Sequence, residues 1–316
     1  MRPAVLMTDP RHFAIRGGAN PHTRREDDSL KVVDIERAMP QWHTYVDKLL
    51  DGGIDVYVAD GAAELTGMVF AANAGFLEGR LDDRPASEKV FYPSHFTAEH
   101  RVGESALFSR FMERFGFAVH DYPDEWRFEG EADAFPVGRG DDKRWIFTFG
   151  FRSDERVGDW LEEEVVGESM IRLRLTDPRY YHGDCLLCDL GGPLLGWTGG
   201  LAPEAVARLR EEFGERFIEM PDADAENFLG NSFYVETGTE RLLYTPEGIS
   251  DALAERIEAE GIELIEVDIS EFFGKGGGGP KCMVFNLGEV DRDDPRLSDE
   301  ERAFRQARHV DAFRQL

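Results

Sequence analysis

Lysine and cysteine are both scarce in this chain of 316 residues, which has 6 of the first and 3 of the second. Three cysteines, an odd number in so long a chain, argue against a disulfide framework and for a reducing compartment, so a cytoplasmic location is expected. No run of about 18 apolar residues occurs, which excludes a transmembrane helix. The first residues also lack the charged segment and apolar core of a secretory signal. Clustered cations are missing too: Lys and Arg together number 36 against 63 Asp and Glu, a formal net charge of -27. Phosphate and anionic lipid surfaces need such clusters, so neither nucleic acid nor membrane is expected as a partner. Few lysines among many carboxylates fit a salt-adapted or GC-rich host, and equally a plain, well-solvated surface.

What is present is a globular composition, with 41% apolar and 11% aromatic residues. Strand-like runs at 54–60, 68–73, 89–96, 144–151, 171–176, 185–190, 216–220, 232–237, 262–269 and 283–287 alternate with amphipathic stretches. Helices are expected over 104–115, 203–213, 250–260 and 298–314, with another around 36–51. Ser250 is a natural N-cap, Ser298 and Glu301 have capping-box spacing, and Pro203 suits a first turn. Pro40 sits badly inside 36–51, so that helix should kink or start late. No Pro- or Ser-rich linker divides the chain, and the expectation is one α/β domain over 1–316 with a C-terminal helix at 298–314.

Several local patterns could carry chemistry. The glycines of 274–279 precede Lys281 but not a Ser or Thr, and a strand rather than a helix follows, so a P-loop is excluded. A flexible loop delivering Cys282 to a strand is expected instead. That cysteine reads either as core or as a nucleophile whose pKa adjacent Lys281 lowers. In 180–188 (YYHGDCLLC), a strand would put His182 and Asp184 on one face and Cys185 and Cys188 on opposite faces, which argues against zinc despite the C-x-x-C spacing. The pair His182 and Asp184 reads as structural or as a general acid/base beside a cation-binding carboxylate. The run 128–133 (FEGEAD) reads as a solvated acidic turn or as carboxylates that bind a cation. Asn73 ends an apolar run, and Arg101 and Arg152 each follow an aromatic run, as ordinary surface pairs also do.

Taken in order, NPH at 20–22, QW at 41–42, MVFAANAG at 68–75, RVGE at 101–104, FEGEAD at 128–133, FGFRS at 149–153, HGD at 182–184, NSFYV at 231–235 and GGGGPKC at 276–282 resemble the guanidine-modifying superfamily. That superfamily contains arginine deiminases, dimethylargininases, arginine dihydrolases and amidinotransferases. The resemblance spans about residues 12–287 and is greatest to the branch with the arginine dihydrolases. It implies a five-fold pseudosymmetric α/β propeller (the pentein fold) and a covalent mechanism on a small guanidino substrate. Cys282 would attack the guanidinium carbon, and His182 would protonate the leaving nitrogen and then activate water. Glu129 would orient His182 or bind the guanidinium, with Glu131 as the alternative. Asp184 would bind the guanidinium, Arg101 and Arg152 the substrate carboxylate, and Asn20 and Asn73 would contribute further contacts. No metal and no cofactor are implied, and a homo-oligomer is left open.

Two positions mark this chain out. Dimethylargininases place Asp where Asn73 stands. Where the family usually has Pro-Asp, this chain has Thr66 and Gly67, and that Asp normally helps hold the substrate near its amino end. With Gly67, arginine would need Asn20 or another group to compensate. The expected activity is hydrolysis of a guanidino C–N bond in arginine or a relative; the alternatives are an amidinotransferase and a non-catalytic propeller that only binds.

Overall fold

In the computed structural model, which describes residues 1–82, 84–238 and 240–314, the strands pair into five three-stranded sheets built on one plan. A first strand runs antiparallel to a second, and a helical crossover then lays a third strand parallel to the second. One sheet holds Gly75–Glu78, Val90–Pro93 and Ala118–Val119, and the next Ala134–Val137, Arg144–Phe149 and Met170–Arg174. Leu187–Asp189, Leu194–Gly196 and Phe217–Glu219 form another, and Phe233–Thr237, Glu240–Pro246 and Glu263–Val267 another. The remaining sheet joins the two ends of the chain: Phe285–Val290 pairs antiparallel with Arg2–Thr8, which pairs parallel with Asp55–Ala59. With its last strand closed on its first, the ring is the five-fold pseudosymmetric α/β propeller expected from the sequence.

The crossover helices follow from local pattern. In Glu104–Phe115 the buried Phe108, Phe111, Met112 and Phe115 recur at helical spacing, and Gly116 ends the helix in the left-handed region. Pro203 opens Pro203–Phe213, whose Ala205, Leu209 and Phe213 are buried four residues apart. Ser250 caps Asp251–Glu258 through the Leu253 amide. These apolar stripes, with the sheet residues they cover, make the core clusters between the helices and the sheets.

Several expectations are corrected. The helix Ile35–Asp51 starts early, capped by the Asp34 side chain, and runs through Pro40; the proline leaves only the Glu36 carbonyl without its helical donor. The apolar run at 68–73 is not a strand but leads into the tight turn Ala71–Ala74, and the strand starts at Gly75. The strands Arg2–Thr8, Ala118–Val119, Ala134–Val137, Leu194–Gly196 and Glu240–Pro246 have no counterpart among the expected runs. At the C-terminal end the helix is divided at His309, whose extended backbone separates Asp299–Arg308 from Val310–Phe313, and the Ser298–Glu301 capping box is formed.

Candidate active site

Each sheet's first strand is entered through a tight turn, and these turns meet one another in a closed circle. Ala72 N donates to Cys282 O at 3.1 Å, and Lys281 N to Asn231 O at 3.1 Å. Asn231 Nδ2 donates to Asp184 O at 2.7 Å, and Gly183 N to Asp133 Oδ1 at 3.1 Å. At the remaining junction Gly130 has φ +69, and a side chain there would begin 2.1 Å from Gly75 O, so glycine is required. The turns therefore place Asn73, Glu129, Glu131, Asp133, His182, Asp184, Asn231 and Cys282 in one buried region.

The acidic turn is not solvated: Glu129, Glu131 and Asp133 are all buried, and each faces different partners. Glu129 Oε2 accepts from His182 Nε2 at 2.8 Å. Its oxygens also accept from Arg152 Nη1 at 3.1 and 3.3 Å and from Thr97 N at 3.0 Å. Burial alone raises the Glu129 pKa, but Arg152 and the His182 hydrogen bond outweigh it and hold the carboxyl well below its ordinary value. An ionised carboxylate only accepts, so the His182 proton belongs on Nε2 and Nδ1 keeps its lone pair. His182 Nδ1 is buried and has no hydrogen-bond partner among the described residues. Asp133 accepts from Thr148 Oγ1, Ser153 Oγ and Gly183 N, pinning the turn that carries His182; burial raises its pKa. Glu131, by contrast, pairs with Arg80 and Lys281 and accepts from Asn286 N, and among the described residues it makes no hydrogen bond to His182.

His182 precedes a 3-10 turn, Gly183–Cys185, and Asp184 lies within it; neither is on a strand, so their juxtaposition comes from the turn and not from alternation. Asp184 lies between the thiols of Cys282, at 3.7 and 3.9 Å, and Cys185, at 3.7 Å. Burial raises its pKa to about 6, against the opposing pull of Lys281 and His182. Nor is the glycine segment a flexible loop. Its first residues finish the helix Ser270–Gly276, and Gly276 and Gly278 are buried where a side chain would begin 2.5 and 2.4 Å from the Phe70 ring. Asn231 Oδ1 accepts from Gly279 N at 2.8 Å and Cys282 N at 3.0 Å, fixing the thiol's position from both sides.

Arg101 and Arg152 are buried rather than surface pairs, and most of their donors are committed. Arg101 binds Glu104 through Nε and Nη2 at 2.7–3.1 Å, Asn73 Oδ1 at 2.8 Å and the Gly67 and Phe70 carbonyls. Arg152 reaches Ala19 O at 2.7 Å besides Glu129, and stacks over Tyr181 at 4.6 Å. Asn20 donates to Gly276 O at 3.0 Å. Asn20, Asn73, Arg101, Arg152 and Tyr181 line one open-mouthed cavity together with Cys282.

Sequence reasoning missed Asn231, Glu104 and Tyr181. The NSFYV motif contains the first and the RVGE motif the second, and Tyr181 lies in the 180–188 run, but the sequence assigns no role to any of them. As to metal, the parity argument falls with the strand: His182, Asp184 and Cys185 each bring one ligand atom within 4.8 Å of the others. Cys188 instead donates to Ser232 O at 3.2 Å. Among the described residues no helix is long and apolar enough to cross a membrane.

Comparison with known proteins bears on this arrangement. A family model described as N,N dimethylarginine dimethylhydrolase, eukaryotic, matches residues 203–288. The bifunctional arginine dihydrolase/ornithine cyclodeaminase AgrE of a Nostoc species is 30% identical over 296 residues, covering 92% of this chain. The chain spans only 38% of that protein's length. The N(G),N(G)-dimethylarginine dimethylaminohydrolase of Mycobacterium tuberculosis is 28% identical over 89% of this chain and 84% of its own. The substrate-bound N-terminal domain of ArgZ, an arginine dihydrolase of cyanobacteria, superposes with a TM-score of 0.79 at 26% identity, over 91% of this chain and 98% of that one. By its fold and its relatives the chain belongs to the guanidine-modifying superfamily, in the branch that resembles the arginine dihydrolases.

Proposed function

We propose that this chain is a cysteine-dependent hydrolase of a guanidino C–N bond, with its five sheets working as one catalytic domain on a small guanidino substrate. The observation that carries the reading is the pairing of a buried thiol against Asp184 with a buried imidazole whose Nε2 is held by Glu129 and whose Nδ1 is bare. Asp184 takes the guanidinium as its counter-charge and receives the thiol proton's hydrogen bond until the substrate arrives. The Cys282 S–H bond breaks, its proton passing to the bare Nδ1 of His182, as the sulfur bonds to the guanidinium carbon and gives a tetrahedral adduct. The C–N bond then breaks as His182 delivers a proton to the departing nitrogen, which leaves as ammonia or an amine. A thiouronium remains on Cys282. Water, losing a proton to His182, adds to the same carbon; the C–S bond breaks, the sulfur is freed, and a ureido product leaves. Glu129 keeps the His182 proton on Nε2 and balances the imidazolium, as carboxylates beside catalytic histidines do. Asn73, held by Arg101, and Asn20 line the substrate's path.

The arginine dihydrolase activity of AgrE and of the ArgZ domain fits this reading. The test is incubation with a panel of guanidino compounds, assaying ammonia and urea-type products, with intact-mass detection of an adduct on Cys282. Ammonia release together with a trapped adduct is expected. Release without any adduct, or no release from the whole panel, overturns it.

A further inference from the structure

The cavity that Cys282 lines is one-sided in charge. Arg16, His100, Arg101 and Arg152 face it, and among the described residues no Asp or Glu lines it. Two of these cations are balanced from behind: Arg101 by Glu104 and Arg152 by Glu129, both fully buried. Arg16 is different. It is exposed, and among the described residues its one side-chain hydrogen bond is a long one of 3.5 Å to Glu64 O and it enters no ion pair. His100 adds no anion, and burial among Arg101 and Arg152 lowers its pKa toward the neutral form.

The wall at Gly67 explains why no carboxylate reaches the cavity. A side chain at 67 would begin 2.7 Å from Glu104 Oε1 and 2.8 Å from Arg101 Nε, so the place is filled by that ion pair. The nearby carbonyls of Gly67 and Phe70, which could otherwise take an ammonium, both accept from Arg101 Nη2. An ammonium here would stand among cations with no anionic partner, and like-charge contacts in a partly dried site are strongly unfavourable. Asn20 Oδ1 is unpaired but neutral, and lies against Gly277.

From the carboxylate-free wall, the occupied Gly67 position and the unpaired guanidinium of Arg16, we propose that the substrate is a guanidino carboxylic acid without an α-ammonium group, whose carboxylate is taken by Arg16. This rests on the hydrolase reading above and adds the substrate class to it.

The test compares kcat/KM for L-arginine, for 5-guanidinopentanoate, which is arginine without its amino group, and for agmatine, which is arginine without its carboxylate; 3-guanidinopropanoate and 4-guanidinobutanoate vary the length. The best of the guanidino acids is expected to exceed arginine by about tenfold or more, the scale of one charge-assisted contact, and agmatine to be poorest. Arg16→Ala should raise KM for the acid about tenfold, with the loss in KM rather than kcat, and narrow its lead over agmatine. A preference for arginine over every des-amino acid overturns the proposal, as does an unchanged KM in Arg16→Ala. Silence of the whole panel with no Cys282 adduct would instead overturn the hydrolase reading, so the two failures are distinct.

Discussion

The buried circle of turns at the inner end, behind the cavity, and the cavity's mouth solve opposite electrostatic problems. At the inner end Glu129, Asp133, Asp184 and Glu131 are buried within one circle of turns, and nearly every oxygen has a donor already aimed at it. At the mouth carboxylates are kept behind the wall, and a guanidinium, Arg16, stands unpaired. A site that must hold a delocalised cation while moving protons gains from groups fixed before the substrate arrives. A site that only has to recognise one end of a substrate can leave a long, solvated arginine to do it. Changes at the inner end should therefore act on kcat, and changes at the mouth on KM.

The largest effect is expected at the nucleophile. Cys282→Ser should lower kcat by at least about 10³-fold while leaving the fold intact, since a hydroxyl is ionised far less readily than a thiol and fits the same space. Circular dichroism and the Tm check the fold, and ammonia release checks the rate. Retention of more than a few per cent of activity would break the covalent mechanism.

Next come two carboxylates two residues apart. Glu129→Gln keeps the shape but removes the charge that sets the His182 tautomer, and should cost about 10²- to 10⁴-fold in kcat. Glu131→Gln leaves Arg80 and Lys281 without their shared buried partner. It should lower stability by about 3–5 kcal/mol, the cost of breaking a buried pair, read by denaturant melts. If Glu131→Gln were the catalytic cripple and Glu129→Gln the unstable one, the assignment of the two would be reversed.

How much of this was legible in the sequence differs between the helices and the turns. Helices 104–115 and 203–213 carry their own boundaries, in apolar spacing, Pro203 and the glycine after Phe115. Strand Arg2–Thr8 does not, because its identity depends on partners from the far end of the chain. The run at 68–73 is apolar since it sits where neighbouring sheets converge, and apolar runs buried on all sides have no period to separate turn from strand. Cys282, His182 and Glu129 stood out only through their joint order along the chain. Nothing in composition says that Glu129 rather than Glu131 meets His182, because that choice is made by a turn with glycine at its corner. Glu104 and Asn231 were unreadable for a related reason: their roles lie in what they hold, Arg101 and the Cys282 amide, from other parts of the chain.

Titration offers a milder way to sharpen the contrast. With burial raising Asp184 to about 6, its ionised form, needed to hold the guanidinium, is lost as pH falls through that value. Log kcat/KM should then fall with unit slope below about pH 6, roughly tenfold per pH unit. Its contribution to stability has the opposite sign. Between its ordinary value of 3.8 and about 6 the folded state binds the extra proton, so stability is greatest below that window and is lost as pH rises through it. Glu129, held low, stays ionised throughout. A rate profile flat from pH 7 to 5 would remove Asp184 from guanidinium binding.

The smallest expected effect is at the mouth. Gly67→Asp would place a carboxylate where the family usually has one, and the resemblance implies that it should create an amino-group contact. The structure argues otherwise. Gly67 does not have the positive φ that would strain any side chain, so the backbone tolerates the change. The difficulty is space and charge: the new Cβ would begin within 2.8 Å of both Arg101 Nε and Glu104 Oε1. Glu104 can give way, being the end of a flexible side chain, but Arg101 is held by Asn73 and two carbonyls as well. The new carboxylate would compete with Glu104 for Arg101, and overpacking of this kind costs about 1–3 kcal/mol. A modest drop in Tm, with arginine gaining little over its des-amino analogue, is therefore expected. Removing the competitor sharpens the test. In Gly67→Asp combined with Glu104→Ala the carboxylate has room and a partner in Arg101, and stability should recover part of the loss. If the single change alone turned the chain into a good arginine enzyme, the Arg101–Glu104 pair would not be the barrier that shapes the mouth.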